Sequence, residues 1–128
     1  MLTQPDIRPT IPVSDMARAR EFYEGILGLV PAGGDENGVI YMGAHGTGFL
    51  LFESTGAASG THTQMSFGVD DVAAQVRDLK ARGVTFEHYD MPGADPDTGI
   101  VEMGGNHLAW FHDTEGNLLT ISDAREPD

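Results

Sequence analysis

The chain has no cysteine among its 128 residues. That excludes disulfides, thiolate metal sites and a cysteine nucleophile, and it leaves no mark of an oxidising compartment. Positive charge is scarce: 7 Lys and Arg stand against 20 Asp and Glu, for a net charge of -13. Such a surface repels nucleic-acid phosphates and anionic lipid, and it is the composition of a well-solvated protein. No apolar run is long enough to cross a membrane. The opening Met1-Leu2-Thr3-Gln4-Pro5-Asp6 has neither the charged nor the apolar region of a secretion signal. The expectation is a cytoplasmic protein with no nucleic-acid and no membrane partner. Tryptophan is scarce too, with Trp110 the single example.

What is present is an apolar fraction of 40%, 17 glycines and an internal repeat. A chain of this length buries a sizeable core as one domain, and abundant glycine points to many tight turns. Val13-Ser14-Asp15 opens an amphipathic stretch in which Met16, Ala19, Phe22, Tyr23, Ile26 and Leu27 recur at helical spacing before Gly28. Val69-Asp70-Asp71 opens another, carrying Val72, Val76 and Leu79 before Gly83. The two capping aspartates, Asp15 and Asp71, lie 56 residues apart. Two copies of one folding unit would each need the other to bury an apolar face, and the seam of two half-sheets is a natural concave binding place.

Strands are expected before each helix and in series after it. In residues 7–13, Ile11 and Val13 alternate with Arg8, Thr10 and Pro12; in residues 64–69, Met65, Phe67 and Val69 alternate with Gln64, Ser66 and Gly68. Residues 38–42 and 48–53 read as a hairpin, and residues 84–89, 99–103, 107–112 and 118–122 as the later strands. The small-residue stretch 54–60 has the composition of a linker. The expected organisation is a single domain, 1–128, with module one at about 7–53, the linker at 54–60 and module two at about 62–122. The segment 91–99 is rich in turn formers and reads as an ordinary connector, with a flap over a pocket as the alternative; the acidic tail 122–128 reads as a solvated terminus.

Val13-Ser14-Asp15, Ala19-Arg20-Glu21-Phe22-Tyr23, Leu27-Gly28-Leu29, Val69-Asp70-Asp71, residues 79–84 and Phe111-His112-Asp113-Thr114-Glu115-Gly116-Asn117, in this order and spacing, resemble the vicinal oxygen chelate superfamily of glyoxalases, bleomycin-resistance proteins and extradiol dioxygenases. The resemblance covers nearly the whole chain. It implies an α+β fold: paired βαβββ modules forming one cupped eight-stranded mixed sheet with helices on the outer face, and commonly a homodimer. Metal enzymes of the superfamily place His, Glu, His and Glu on four strands of the cup, where a divalent ion chelates two neighbouring substrate oxygens. Carried over by position, those places fall on Arg8, Leu51, Gln64 and Thr120, none of them a good metal ligand. No cofactor is therefore expected. A displaced divalent metal is the alternative, with Glu53 and His62 two residues from the expected places.

Strand parity then puts Arg8, Thr10, Gln64, Ser66, Thr120 and Ser122 in the cup, where a guanidinium beside hydroxyls and an amide would recognise a carboxylate, a phosphate or a polarised carbonyl. Arg8 has a plainer alternative in a salt bridge to one of the acids. Trp110 would stack on a flat ligand at the mouth, or else pack in a core or a dimer contact. Two functions follow. One is a protein that binds a small organic ligand without transforming it. The other is an isomerase or lyase of the glyoxalase-like class, metal-independent or using a shifted metal, with Glu53, Glu102 or His62 as base.

Overall fold

The computed structural model describes residues 3–4, 7–54, 56 and 58–124. The expected linker is therefore described except at Thr55 and Ala57, and positions 1–2, 5–6 and 125–128 of the expected N-terminal stretch and acidic tail lie outside the described residues. The chain forms two compact units, Met1–Ala58 and Ser59–Asp128.

The first unit runs β1 (Thr10–Val13), α1 (Met16–Arg20), β2 (Pro31–Gly34), β3 (Gly38–Met42) and β4 (Gly48–Glu53). Its strand order is β1-β4-β3-β2, with β1 parallel to β4 and the other pairs antiparallel. The second unit repeats the plan with β5 (Thr63–Gly68), α2 (Val72–Ala81), β6 (Val101–Met103), β7 (Asn106–His112) and β8 (Leu118–Ser122), in the order β5-β8-β7-β6. Each unit is a βαβββ module, and the fold class is α+β as expected.

The repeated aspartates act alike. Asp15 and Asp71 both take extended backbone, with φ of -136° and -135°, and accept from the backbone N–H of Arg18 and Ala74. Each thereby satisfies one orphan donor of a helix N-terminus. Gly28 and Gly83 close the two stretches with φ of +80° and +96°, a left-handed conformation that favours glycine.

Apolar periodicity decides which face each helix covers. On the first sheet Ile11, Val13, Val39, Tyr41, Phe49 and Leu51 share a buried face with Ala19, Phe22 and Tyr23 of the helical stretch. Tyr23 stacks on Tyr41 at 5.9 Å and meets Phe49 at 5.7 Å. On the second, Ala109, Phe111, Leu119 and Ile121 share a buried face, and Val72, Val76 and Leu79 are the buried residues of α2. Full burial of such side chains contributes roughly 1.5–3 kcal/mol each.

The structure corrects four local expectations. The first helix is not continuous to Leu27: after Arg20 it widens into a π-helical turn over Glu21–Ile26, with the Leu27 N–H donating to the Phe22 carbonyl. Strand β2 was not expected, because Pro31-Ala32-Gly33-Gly34 has little strand propensity; it is exposed throughout and exists by pairing with β3. Residues 84–89 are not a strand. They touch β7 through a single bridge of Phe86 to Phe111 and a bond from the Glu87 N–H to the Trp110 carbonyl. Leu51 pairs with Ile11 and Val39 on the helix-covered face, so the expected cup position passes to Leu50 and Phe52.

Candidate functional site

Backbone register arranges the second sheet's face away from α2 into rows. Ser66, Thr120 and Trp110 lie side by side across β5, β8 and β7; His112 and Thr63 flank Leu118 in the next row, and Leu108 and Gly68 flank Ser122 in the row beyond. A bulge between Thr63 and Met65 leaves Gln64 without a register partner. Strict alternation would bring Gln64 to this face. The bulge brings Thr63 instead.

Thr63 organises the centre of the face. Its hydroxyl oxygen accepts from the Trp110 indole N–H at 2.9 Å and from the Thr120 hydroxyl at 3.3 Å. The indole is thus held in one orientation, half-buried, with Tyr89 packed edge-on at 5.4 Å. Burial, and then the charge of Glu87, raise the Tyr89 phenol above its ordinary range, so the ring is neutral near pH 7. In the same row, beyond Thr120, Ser66 is exposed, whereas Thr120 and Ser122 are buried. The Ser122 oxygen accepts from the Ala124 N–H.

His112 lies on the same face, with Nδ1 2.7 Å from Glu87 Oε1 and Nε2 2.9 Å from the Gly60 carbonyl oxygen. The Gly60 carbonyl first, and the Glu87 carboxylate after it, hold this imidazole above its ordinary range against the opposing effect of burial. The turn after β7 is tied by Asp113, whose carboxylate accepts from the backbone N–H groups of Glu115 and Asn117 and from the Asn117 side-chain amide.

Arg8 and Thr10 belong to the first unit. Thr10 is exposed on the face away from α1, in register with Leu50. Its neighbours on that face, Pro12, Ile40, Leu50 and Phe52, make it apolar where the second unit's is hydroxylated. Arg8 precedes β1, is exposed, and has no hydrogen bond or ion pair among the described residues. The sequence-derived set is therefore divided: Ser66, Trp110, Thr120 and Ser122 share one face, Gln64 sits on its bulge, and Arg8 and Thr10 stand on the other unit. Thr63, Tyr89, Glu87 and His112 are the additions. Alternation along β7 places His112 with Trp110, as the expected strand 107–112 allows, whereas only the bulge brings in Thr63 and only the path of residues 84–89 brings in Glu87 and Tyr89.

The residues present do not fit the superfamily's metal. The places carried over from the superfamily hold Arg8, Leu51, Gln64 and Thr120, none with the chemistry of a good metal ligand, and among the described residues no three His, Cys, Asp or Glu side chains come together as a ligand set. Glu53 pairs with Val13 on the helix-covered side, where its carboxylate accepts from the Met16 N–H at the start of α1. Glu102 pairs with His107, on the same face as Ala109. His62 is exposed, with Nδ1 2.9 Å from the Ser59 hydroxyl. The segment 91–99 is tied to β6, through the Glu102 N–H to the Gly93 carbonyl and a bridge of Ala94 to Val101. A concavity of about 250 Å³ at the start of α2 is lined by Asp70, Asp71, His107 and Asp123, among others. Of its polar groups, Asp71 caps the helix and His107 bonds Asp123.

Comparison with known proteins follows this geometry. No curated protein matches the chain. Among solved structures, UcmS2 is 20% identical, with a TM-score of 0.75, over 95% of this chain and 100% of that one. TnmS3, an antibiotic binding protein from Streptomyces sp. CB03234, is 20% identical with a TM-score of 0.68 over 94% and 96%. Lactoylglutathione lyase from Agrobacterium tumefaciens is 18% identical with a TM-score of 0.67 over 94% and 93%. At these identities the likeness is one of fold. No helix among the described residues is long and apolar enough to cross a membrane. The family model matches residues 7–121, so the chain belongs to the Glyoxalase/Bleomycin resistance protein/Dioxygenase superfamily.

Proposed function

We propose that this protein binds a small organic molecule bearing a flat ring on the second unit's face away from α2, and releases it chemically unchanged. The observation that carries the reading is the Trp110 indole, half-buried and held by the Thr63 hydroxyl, with Tyr89 against its edge and Ser66 in the same row beyond Thr120. An oriented aromatic surface next to a hydroxyl is a stacking platform with a polar handle, and pre-set orientation lowers the entropic cost of binding. Trp110, Ser66 and Thr63 are the contact residues; Thr120 and Ser122 support them from beneath, and Gln64 borders them. Arg8 and Thr10 serve their own unit, Arg8 as an exposed cation for an acidic group.

That no metal-ligand set forms among the described residues, that Glu53 accepts from the Met16 N–H, and that Glu102 lies on the α2-covered face favour binding over isomerase or lyase chemistry. A superfamily relative whose name describes antibiotic binding is in keeping with this. The reading takes the chain as one domain, since the family match runs through both units. It also takes the protein as a cytoplasmic homodimer.

The test is titration of Trp110 emission with a panel of flat aromatic acids and neutral heteroaromatics, with mass analysis of each compound after incubation. Saturable quenching in wild type by a compound recovered intact, with its affinity by calorimetry, which needs no tryptophan, at least tenfold weaker in Trp110→Leu, is the expected result. Consumption of the compound would establish an enzyme instead, and equal affinity in Trp110→Leu would move the site elsewhere.

A further inference from the structure

Both ring nitrogens of His112 face oxygen: Glu87 Oε1 at 2.7 Å and the Gly60 carbonyl at 2.9 Å. A carbonyl and an ionised carboxylate only accept. A neutral ring has one N–H and one lone pair, so it satisfies one contact and sets a lone pair against oxygen at the other; the imidazolium satisfies both. The ring lies on the face that carries Trp110, two residues along β7, in the row of Leu118 and Thr63. Gly60 stands three residues before Thr63 at the entry to β5, and its φ of +71° lets the chain pass close: a Cβ there would meet the Gly116 carbonyl at 3.1 Å and His112 Nε2 at 3.5 Å. Glu87 follows Phe86, and its own N–H donates to the Trp110 carbonyl.

We propose that the charged ring of His112 is a positioning group, which ties the segment at Gly60 and the chain at Glu87 to β7 and thereby holds Thr63 where it accepts the Trp110 indole. Loss of the ring proton releases one of the two ties and loosens the indole, so the aromatic platform is set by pH. The inference concerns the face assigned above to ligand binding, and it is measured without any ligand, so either can fail alone.

The charged and titratable groups around the ring are few. Glu87 faces Nδ1. Asp113 follows on the chain, with its carboxylate taken up by Glu115 and Asn117. On the entering segment His62 meets Ser59, and Tyr89 packs on Trp110. All the acidic neighbours favour the charged ring, and the raised value of His112 agrees with the geometry.

Trp110 is the single tryptophan, so its emission reports the platform directly. The experiment follows Trp110 emission and the ring nitrogens of His112 by NMR in the full chain from pH 5 to 9. In wild type we expect His112 doubly protonated at pH 7, a midpoint above the ordinary value of about 6.5, and an emission change with the same midpoint. Glu87→Gln lowers that midpoint, and His112→Gln abolishes the emission step. A neutral His112 ring at pH 7 overturns the proposal, as does an emission step that persists in His112→Gln. If that variant does not fold, the wild-type ring spectrum and the Glu87→Gln midpoint decide the matter.

Discussion

Replacing Thr63 by Val keeps the shape of the side chain and removes the oxygen that accepts from Trp110 and Thr120. The indole bond, at 2.9 Å, is a normal one, and its loss costs about 1 kcal/mol because a half-buried N–H can turn to water. Thr120 is 3% exposed, and its hydroxyl has no such recourse. Leaving it without an acceptor adds roughly 1–2 kcal/mol, at the low end because the bond to Thr63 is long. The sum is about 2–3 kcal/mol, which for a chain of this size lowers Tm by roughly 6–12 °C. Thr63→Ser keeps the oxygen and loses one exposed methyl, a change within about 0.5 kcal/mol. Urea unfolding followed by Trp110 emission, with thermal melts of the same three proteins, reads both numbers. Thr63→Val melting within about 2 °C of Thr63→Ser, with unchanged native emission, would refute the argument that Thr63 holds the indole.

Asp113→Ala strips three hydrogen bonds from the turn after β7, two of them made by the fully buried Asn117, so urea unfolding should show a loss of about 3–4 kcal/mol, and Asp113→Asn a smaller one. Gly93→Ala places a Cβ 2.3 Å from the Glu102 carbonyl oxygen at a φ of +84°; hydrogen exchange should show the Glu102 N–H losing protection while α2 keeps its own. Arg8→Ala removes an exposed side chain with no described partner and should leave Tm within about 1 °C of wild type. Glu24 is held below its ordinary range first by Arg20 and then by the Tyr41 hydroxyl, 2.8 Å away. A lowered carboxylate contributes stability that is present above its unfolded value of about 4.3 and is lost as pH falls through the folded one. The acid limb of a melting-temperature profile should therefore be shallower in Glu24→Gln; an identical limb would show that Glu24 does not contribute.

The sequence by itself determined the repeat. Asp15 with Gly28 and Asp71 with Gly83 are local devices: a carboxylate reaching an N–H three residues on, and a glycine taking a left-handed φ, need no distant partner. Apolar alternation likewise assigned Ile11 and Val13 to a helix-covered face, because a strand's two-residue period is intrinsic. Only the tertiary structure decided what long-range pairing controls. Strand β2 exists because β3 offers an edge, and the face of Leu51 follows from its register with Ile11 and Val39. At the candidate site one extra residue in β5 puts Thr63 where alternation alone puts Gln64, and a single bridge carries Glu87 and Tyr89 to Trp110 and His112. A bulge and a bridge are products of competition between whole strands for partners, and no residue of this chain announces either in advance.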